Sequence, residues 1–149
     1  GKSGDPIEIG KKTLTQITGK KPNERNAKKS QRDWGVRKGE PIGVAVTVRG
    51  NDAAELLKKL LAAKDNQIMG KAFDNEGNAS FGIKEHIDIP GIKYDPKIGI
   101  IGLEVSISLV RPGFNIKLGK RKAKIGKNHR ITKNDATKFL TEEFGVKIA

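Results

Sequence analysis

The sequence predicts an α+β fold: two layers, a mainly antiparallel sheet with helices packed on one face, and a basic C-terminal extension. Three observations lead there. Two segments alternate apolar and small polar residues with period two, as half-buried strands do. Three others carry apolar residues at helical spacing. The run Lys117–Arg130 is too basic and too glycine-punctuated to contribute to a core.

Taken in order, Ile7, Gly10, Leu14 and Ile17 recur at helical intervals, so Pro6–Thr18 reads as a helix with Asp5 as N-cap, Pro6 at its first position and Gly19 as its stop. Gly10 and the threonines make it a weak one. Lys21–Asn26, after Pro22, fits a polar edge strand. Ile42, Val44, Val46 and Val48 point one way and Gly43, Ala45, Thr47 and Arg49 the other. Asp52 with Glu55 forms a capping box, and Leu56, Leu57, Leu60 and Leu61 give the helix that follows its stripe, up to Lys64. Ala79, Phe81 and Ile83 oppose Ser80, Gly82 and Lys84 in a shorter strand, and Leu103, Val105, Ile107 and Leu109 oppose Gly102, Glu104, Ser106 and Ser108 in another. Pro90-Gly91 and Asp95-Pro96 mark turns between them. A last helix runs from Thr132, its cap, to Phe144, burying Ala136, Phe139, Leu140 and Phe144 before Gly145 ends it. A sheet with one aliphatic face must cover it with helices, and that leaves the small, polar face free for a partner.

At 149 residues the chain is one domain's length, 1–149, with the basic loop 111–131 and helix 132–144 as its extension. It carries 30 Lys+Arg against 17 Asp+Glu, a net charge of +13, which points to a polyanionic partner and first to nucleic acid. The excess is not even. Residues 1–50 hold twelve basic and five acidic side chains, 51–110 seven and nine, and 111–149 eleven and three, so a near-neutral scaffold separates two basic ends. Trp34, Phe114, Phe139 and Phe144 within those ends argue for packing rather than solvated tails. Cysteine is absent, which removes disulfides, thiolate metal sites and cysteine nucleophiles. No run approaches the ~20 apolar residues of a membrane span, and no signal peptide is visible, so no membrane partner is expected. The chain starts at Gly1 inside what reads as a loop, so an N-terminal segment is expected ahead of it.

Catalytic chemistry finds little material. Gly1-Lys2-Ser3 looks like the end of a phosphate-binding loop, but the first glycine, the spacer and the strand do not precede it here. His86 and His129 each lack a partner at metal-ligand or triad spacing. Glu142 and Glu143 are adjacent and diverge around a helix, so no acid–base pair, metal site or cofactor is expected. Lys117, Lys120, Arg121, Lys122, Lys124, Lys127 and Arg130 fall within fourteen residues, in what reads as an extended loop suited to a phosphate backbone, its affinity supplied by counterion release. Trp34 either stacks on a nucleotide or anchors its loop against the sheet, and anchoring is favoured. The polar sheet face has no aromatic residue to stack bases, while Thr47 can bond a 2′-hydroxyl or a phosphate, which favours reading RNA shape over sequence.

Long ordered motifs add to this reading. A-K-K-S-Q-R-D-W-G-V-R-K-G-E-P-I-G-V-A-V-T-V-R-G at 27–50, F-D-N-E-G-N-A-S-F-G-I-K-E at 73–85, Y-D-P-K-I-G-I-I-G-L-E-V at 94–105 and I-T-G-K-K-P at 17–22 together resemble the large-subunit ribosomal protein L-five family. V-R-P-G-F at 110–114, I-G-K-N-H-R at 125–130 and the closing F-G-V-K-I resemble its archaeal and eukaryotic branch. The resemblance covers nearly the whole chain. It implies a non-catalytic protein of the cytoplasmic ribosome, in the central protuberance, holding 5S rRNA against large-subunit rRNA. It further implies 5S contacts at Lys20, Pro22, Thr47 and Arg49, although the family usually has Gln where Lys20 stands. A hairpin around Lys28, Lys29, Ser30, Arg32, Trp34, Arg37 and Lys38 would approach P-site tRNA, and Arg111 with the 117–130 cations would meet other rRNA. Neighbouring proteins of the protuberance and a small-subunit head protein are the implied protein partners, and a further N-terminal strand would precede residue 1. The alternative is an RNA-processing or RNA-modifying enzyme on a similar sheet, which would need a base or cofactor pocket that the residues do not supply.

Overall fold

The computed structural model describes residues 5–119 and 123–148, and they form an α+β fold. The contacts fall into two compact units: one holds the residues up to Leu60 together with Lys84–Gly102, the other Leu61–Ile83 together with the residues from Leu103 onward.

In the first unit, helix α1 (Asp5–Thr18) lies on strand β2 (Pro41–Ala45), which pairs antiparallel with β1 (Asn23–Asn26). The close approach is made at Gly10, where a Cβ would stand 2.9 Å from Val44 Cγ2, so the residue read as a weakness lets the helix backbone reach the strand. Ile7 and Thr13 are buried, and the Thr13 hydroxyl donates back to the Ile9 carbonyl, which removes the cost of an unpaired polar group. Lys11 bridges Glu8 and Glu24, each at 2.6 Å, tying α1 to β1 and raising the lysine's own pKa, with Glu24 the larger cause. Asp5 lies within the helix rather than capping it from outside, whereas Gly19, at φ +65°, ends the helix as expected. The long connection Lys84–Gly102 is pinned at His86. Its N–H donates to the Ile101 carbonyl at 3.0 Å, and its Nδ1 accepts the Ile101 N–H at 3.3 Å. His86 is therefore a buried structural tie.

Helix α2 (Asn51–Ala62) buries Leu60 and Leu61 and leaves Leu56 and Leu57 half-buried. The expected capping box does not form: Asp52 lies inside the first turn, and its carboxylate takes Lys20 Nζ at 2.7 Å. A full cation 32 residues away offers a stronger, charge-assisted bond than a local backbone amide.

In the second unit, β4 (Asn78–Ile83) and β5 (Leu103–Ser108) form an antiparallel ladder with Ser80 opposite Ser106 and Phe81 opposite Val105. Ala79, Phe81 and Ile83 are buried while Ser80, Gly82, Glu104, Ser106 and Ser108 face solvent, the alternation the sequence implies. Helix α4 (Lys133–Phe144) is capped by Thr132, whose hydroxyl accepts the Asp135 N–H while the Asp135 carboxylate accepts the Thr132 N–H, and Gly145 at φ +64° ends it. Ala136 and Leu140 have no exposed surface, each buried aliphatic side chain the size of Leu140 contributing roughly 1.5–3 kcal/mol. Phe139, expected in the core, is 43% exposed and meets Phe144 edge-on at 6.0 Å between centroids. Beyond α4 the chain adds β6 (Lys147–Ile148) parallel to β3 (Gln67–Ile68).

The expected single sheet is thus three two-stranded ladders among the described residues. Alternation reveals which face of a strand is buried but carries no information on which strands pair. The segment read as a strand to Val48 or beyond also stops at Ala45, and residues 41–46 are half-buried on both sides. Its polar side opens only at Thr47 and Arg49.

Candidate nucleic-acid interface

Between β1 and β2 the chain closes on itself as a hairpin. Ala27 and Glu40 pair through backbone bonds of 2.8 Å (Ala27 N–H to Glu40 carbonyl) and, one residue earlier, Gly39 N–H to the Ala27 carbonyl at 2.9 Å. Further out, Gln31 and Val36 exchange both of theirs at 2.8 and 3.1 Å. The 3₁₀ turn Arg32–Trp34 and Gly35, at φ +63°, reverse the chain at the tip. Two side chains lock the arms. Ser30 Oγ accepts the Lys38 N–H, and the Glu40 carboxylate accepts the Arg37 N–H, each at 2.9 Å. With backbone groups satisfied internally, Lys28, Lys29, Arg32, Arg37 and Lys38 are all left exposed. Trp34 is 80% exposed at the tip, which overturns its reading as an anchor: a hairpin this tightly closed holds its tip residue away from any apolar surface. Ser30 serves as a lock within the loop.

The other residues singled out in the first unit lie near the turn after α1. Lys20 is held by Asp52, whose carboxyl is kept below its ordinary pKa by that hydrogen bond, and Pro22 is half-buried just before β1. Thr47 and Arg49 are exposed in the stretch that leads from β2 to α2. The Lys20–Asp52 pair brings the turn to that stretch.

The basic segment of the second unit departs from an extended loop. It contains the one-turn helix α3 (Asn115–Leu118) and a 3₁₀ turn at Lys127–His129. Lys117 Nζ reaches Glu76 at 3.2 Å and sits 5.6 Å over the Phe114 ring. His129 Nε2 donates to the Pro112 carbonyl at 2.8 Å, Arg130 Nε to the Ile125 carbonyl at 3.3 Å, and Arg111 stands 3.8 Å from Asp135. Glu76 is presented by a turn that Asp74 organises: its carboxylate accepts from the Asn78 side-chain amide and from the N–H groups of Asn78 and Glu76, which lowers its pKa. Lys124 and Lys127 are exposed and without an ion pair among the described residues. Lys120, Arg121 and Lys122 lie outside the described residues. Phe114, Glu76 and His129 belong to this site although no motif marked them for it; the one available signal was an aromatic residue next to a glycine within a cationic run.

The described residues contain no group of His, Cys, Asp and Glu that could hold a metal ion, and no helix long and apolar enough to cross a membrane. Each of the two basic segments by itself offers exposed cations and an aromatic ring, equipment suited to binding a polyanion.

Residues 41–147 match the family model that describes the C-terminus of the ribosomal L-five-P family. Across the whole chain the sequence is 63% identical to the large ribosomal subunit protein uL5 of Nitrosopumilus maritimus, covering 87% of that relative. It is 57% identical, over 99% of the chain, to the uL5 of Cenarchaeum symbiosum, with 88% of the relative covered, and 47% identical to that of Sulfolobus acidocaldarius, again over 99% of the chain and with 84% covered. With a family model and relatives of this identity spanning the same residues, the chain belongs to the uL5 family of ribosomal proteins.

Proposed function

We propose that this chain binds 5S rRNA and large-subunit rRNA in the central protuberance and approaches the P-site tRNA. Membership of the family makes it a structural protein of the large ribosomal subunit, not an enzyme, and its place the cytoplasmic ribosome. The observation that supports the finer reading most is the pair of exposed cationic segments: in 28–38 the paired backbone leaves Lys28, Lys29, Arg32, Arg37 and Lys38 exposed, and in 111–130 Lys124 and Lys127 are exposed with no ion pair among the described residues. In this reading Lys20, Pro22, Thr47 and Arg49 face 5S rRNA, with Lys20 exchanging Asp52 for a phosphate or sharing itself between them. Lys28, Lys29, Arg32, Trp34, Arg37 and Lys38 face the tRNA, held in place by Ser30. Arg111, Lys117, Lys120, Arg121, Lys122, Lys124, Lys127 and Arg130 face large-subunit rRNA. Neighbouring proteins of the protuberance and a small-subunit head protein complete the set of partners.

A filter-binding titration with 5S rRNA tests it. Affinity falls steeply with rising salt as counterions are released. Thr47→Val removes a hydroxyl at nearly constant shape and costs roughly 1–2 kcal/mol of binding. Unchanged affinity removes Thr47 from the site, and salt-independent affinity removes the phosphate-contact mechanism.

A further inference from the structure

We propose that the concavity between the Asp74 turn and the 109–132 segment takes up a single unstacked nucleotide of the bound RNA, its base inside and its phosphate at the cationic rim. The proposal deepens the rRNA-binding reading and rests on it for the source of the nucleotide. The cavity measures about 760 Å³, within the ~300–1,000 Å³ of pockets that enclose small organic ligands.

Its walls separate by chemistry. Leu109, Phe114, Ile125 and Ile131 supply apolar surface, which a phosphate run has no use for but the face of a base does. Lys124, Lys127 and Arg130 line the same space and supply charge for the phosphate. Lys117 is held by Glu76 and by the Phe114 ring, so it shapes the wall, and the ring remains half-buried in place. Because the Pro112 carbonyl can only accept, the His129 Nε2–H donates to it, which fixes the ring in the wall and leaves Nδ1 outside that bond. A long phosphate track would be served better by an open, extended strand; here the chain is bent by two short helical turns and closed by internal bonds at His129 and Arg130. Aromatic surface, apolar depth and a positive rim together favour a nucleotide over an acidic peptide, which would leave the apolar walls unused.

The full chain, isotope-labelled, is titrated with adenosine and uridine monophosphates at millimolar concentration, and separately with inorganic phosphate and an oligoglutamate peptide. The monophosphates shift the Leu109, Ile125 and Ile131 methyl resonances and the Phe114 ring, while phosphate and oligoglutamate do not. Ala123→Trp fills the cavity from an exposed position without removing charge, abolishes those shifts and weakens large-subunit rRNA binding about tenfold at an unchanged salt slope. The same shifts with phosphate or oligoglutamate alone, or monophosphate shifts that survive Ala123→Trp, overturn the pocket. Intact rRNA binding with a silent pocket overturns this inference and leaves the parent reading standing; pocket shifts without rRNA binding do the reverse.

Discussion

Two basic arms with similar composition end in different architectures. In the 27–40 hairpin, paired backbones hold the two strands together and every cation points outward, with Trp34 as the most exposed of the large apolar residues. In the 109–132 segment, hydrogen bonds run from side chains to distant carbonyls, and Phe114 is half-buried beneath Lys117. A closed ladder uses its polar groups on itself and can only project side chains, whereas an irregular chain stitched by side chains can curve around a space. The way an arm's backbone is satisfied decides whether it presents its side chains outward or curves around a space.

The contrast can be broken most strongly at Gly77. This residue sits at φ +76° with a would-be Cβ 2.5 Å from Ile131 Cγ2, so Gly77→Ala combines a left-handed conformation with overpacking against the wall of the enclosing arm. A loss of roughly 3 kcal/mol is expected in urea unfolding. Native stability in that variant would mean that Ile131 is not seated on the Asp74 turn.

Trp34→Ala sharpens the other side. Removing a side chain that is 80% exposed leaves folding within about 0.5 kcal/mol, and under the proposed tRNA contact it weakens tRNA binding by roughly 1–3 kcal/mol, the value of one stacked base. Equal tRNA affinity for both proteins would reduce the hairpin to a charge carrier.

The smallest effect is acidic. Hydrogen bonds from Thr132, chiefly from its backbone N–H, hold the Asp135 carboxyl below its ordinary value, so its contribution to helix α4 is present above about pH 4 and is lost as the pH falls through the lowered pKa. Hydrogen exchange should show protection of the Asp135 and Ala136 amides declining in that window, ahead of the hairpin amides of Gln31 and Val36. Protection that is flat to still lower pH would show the cap standing without the carboxylate.

Helix α4 was legible from end to end because its signals are local: Thr132 and Asp135 are three residues apart, and Gly145 needs only its own positive φ. The polar strand β1 and the alternation of β4 and β5 were equally plain. Phe139 was misplaced because helical spacing gives a stripe without its edge, and Ala136 and Leu140 already fill the buried line. Asp52 was paired with a near neighbour when its true partner, Lys20, lies 32 residues back. The exposed cations of the candidate site were readable as residues, but the enclosure at 109–132 was not, since Glu76, Phe114 and His129 come from separate stretches.

By itself the sequence determined the α+β class, the glycine stops of the first and last helices, the buried face of β4 and the cationic character of both arms, because caps, periodicity and charge act between residues a few positions apart. Only the tertiary structure decided that the strands form separate pairs, that Gly10 is a contact with Val44, that Trp34 stands in solvent and that described residues of the second arm line a concavity with Asn75 and Glu76. Those outcomes depend on which distant groups satisfy one another's hydrogen bonds and fill one another's volume, and that competition is resolved only when the whole chain has packed.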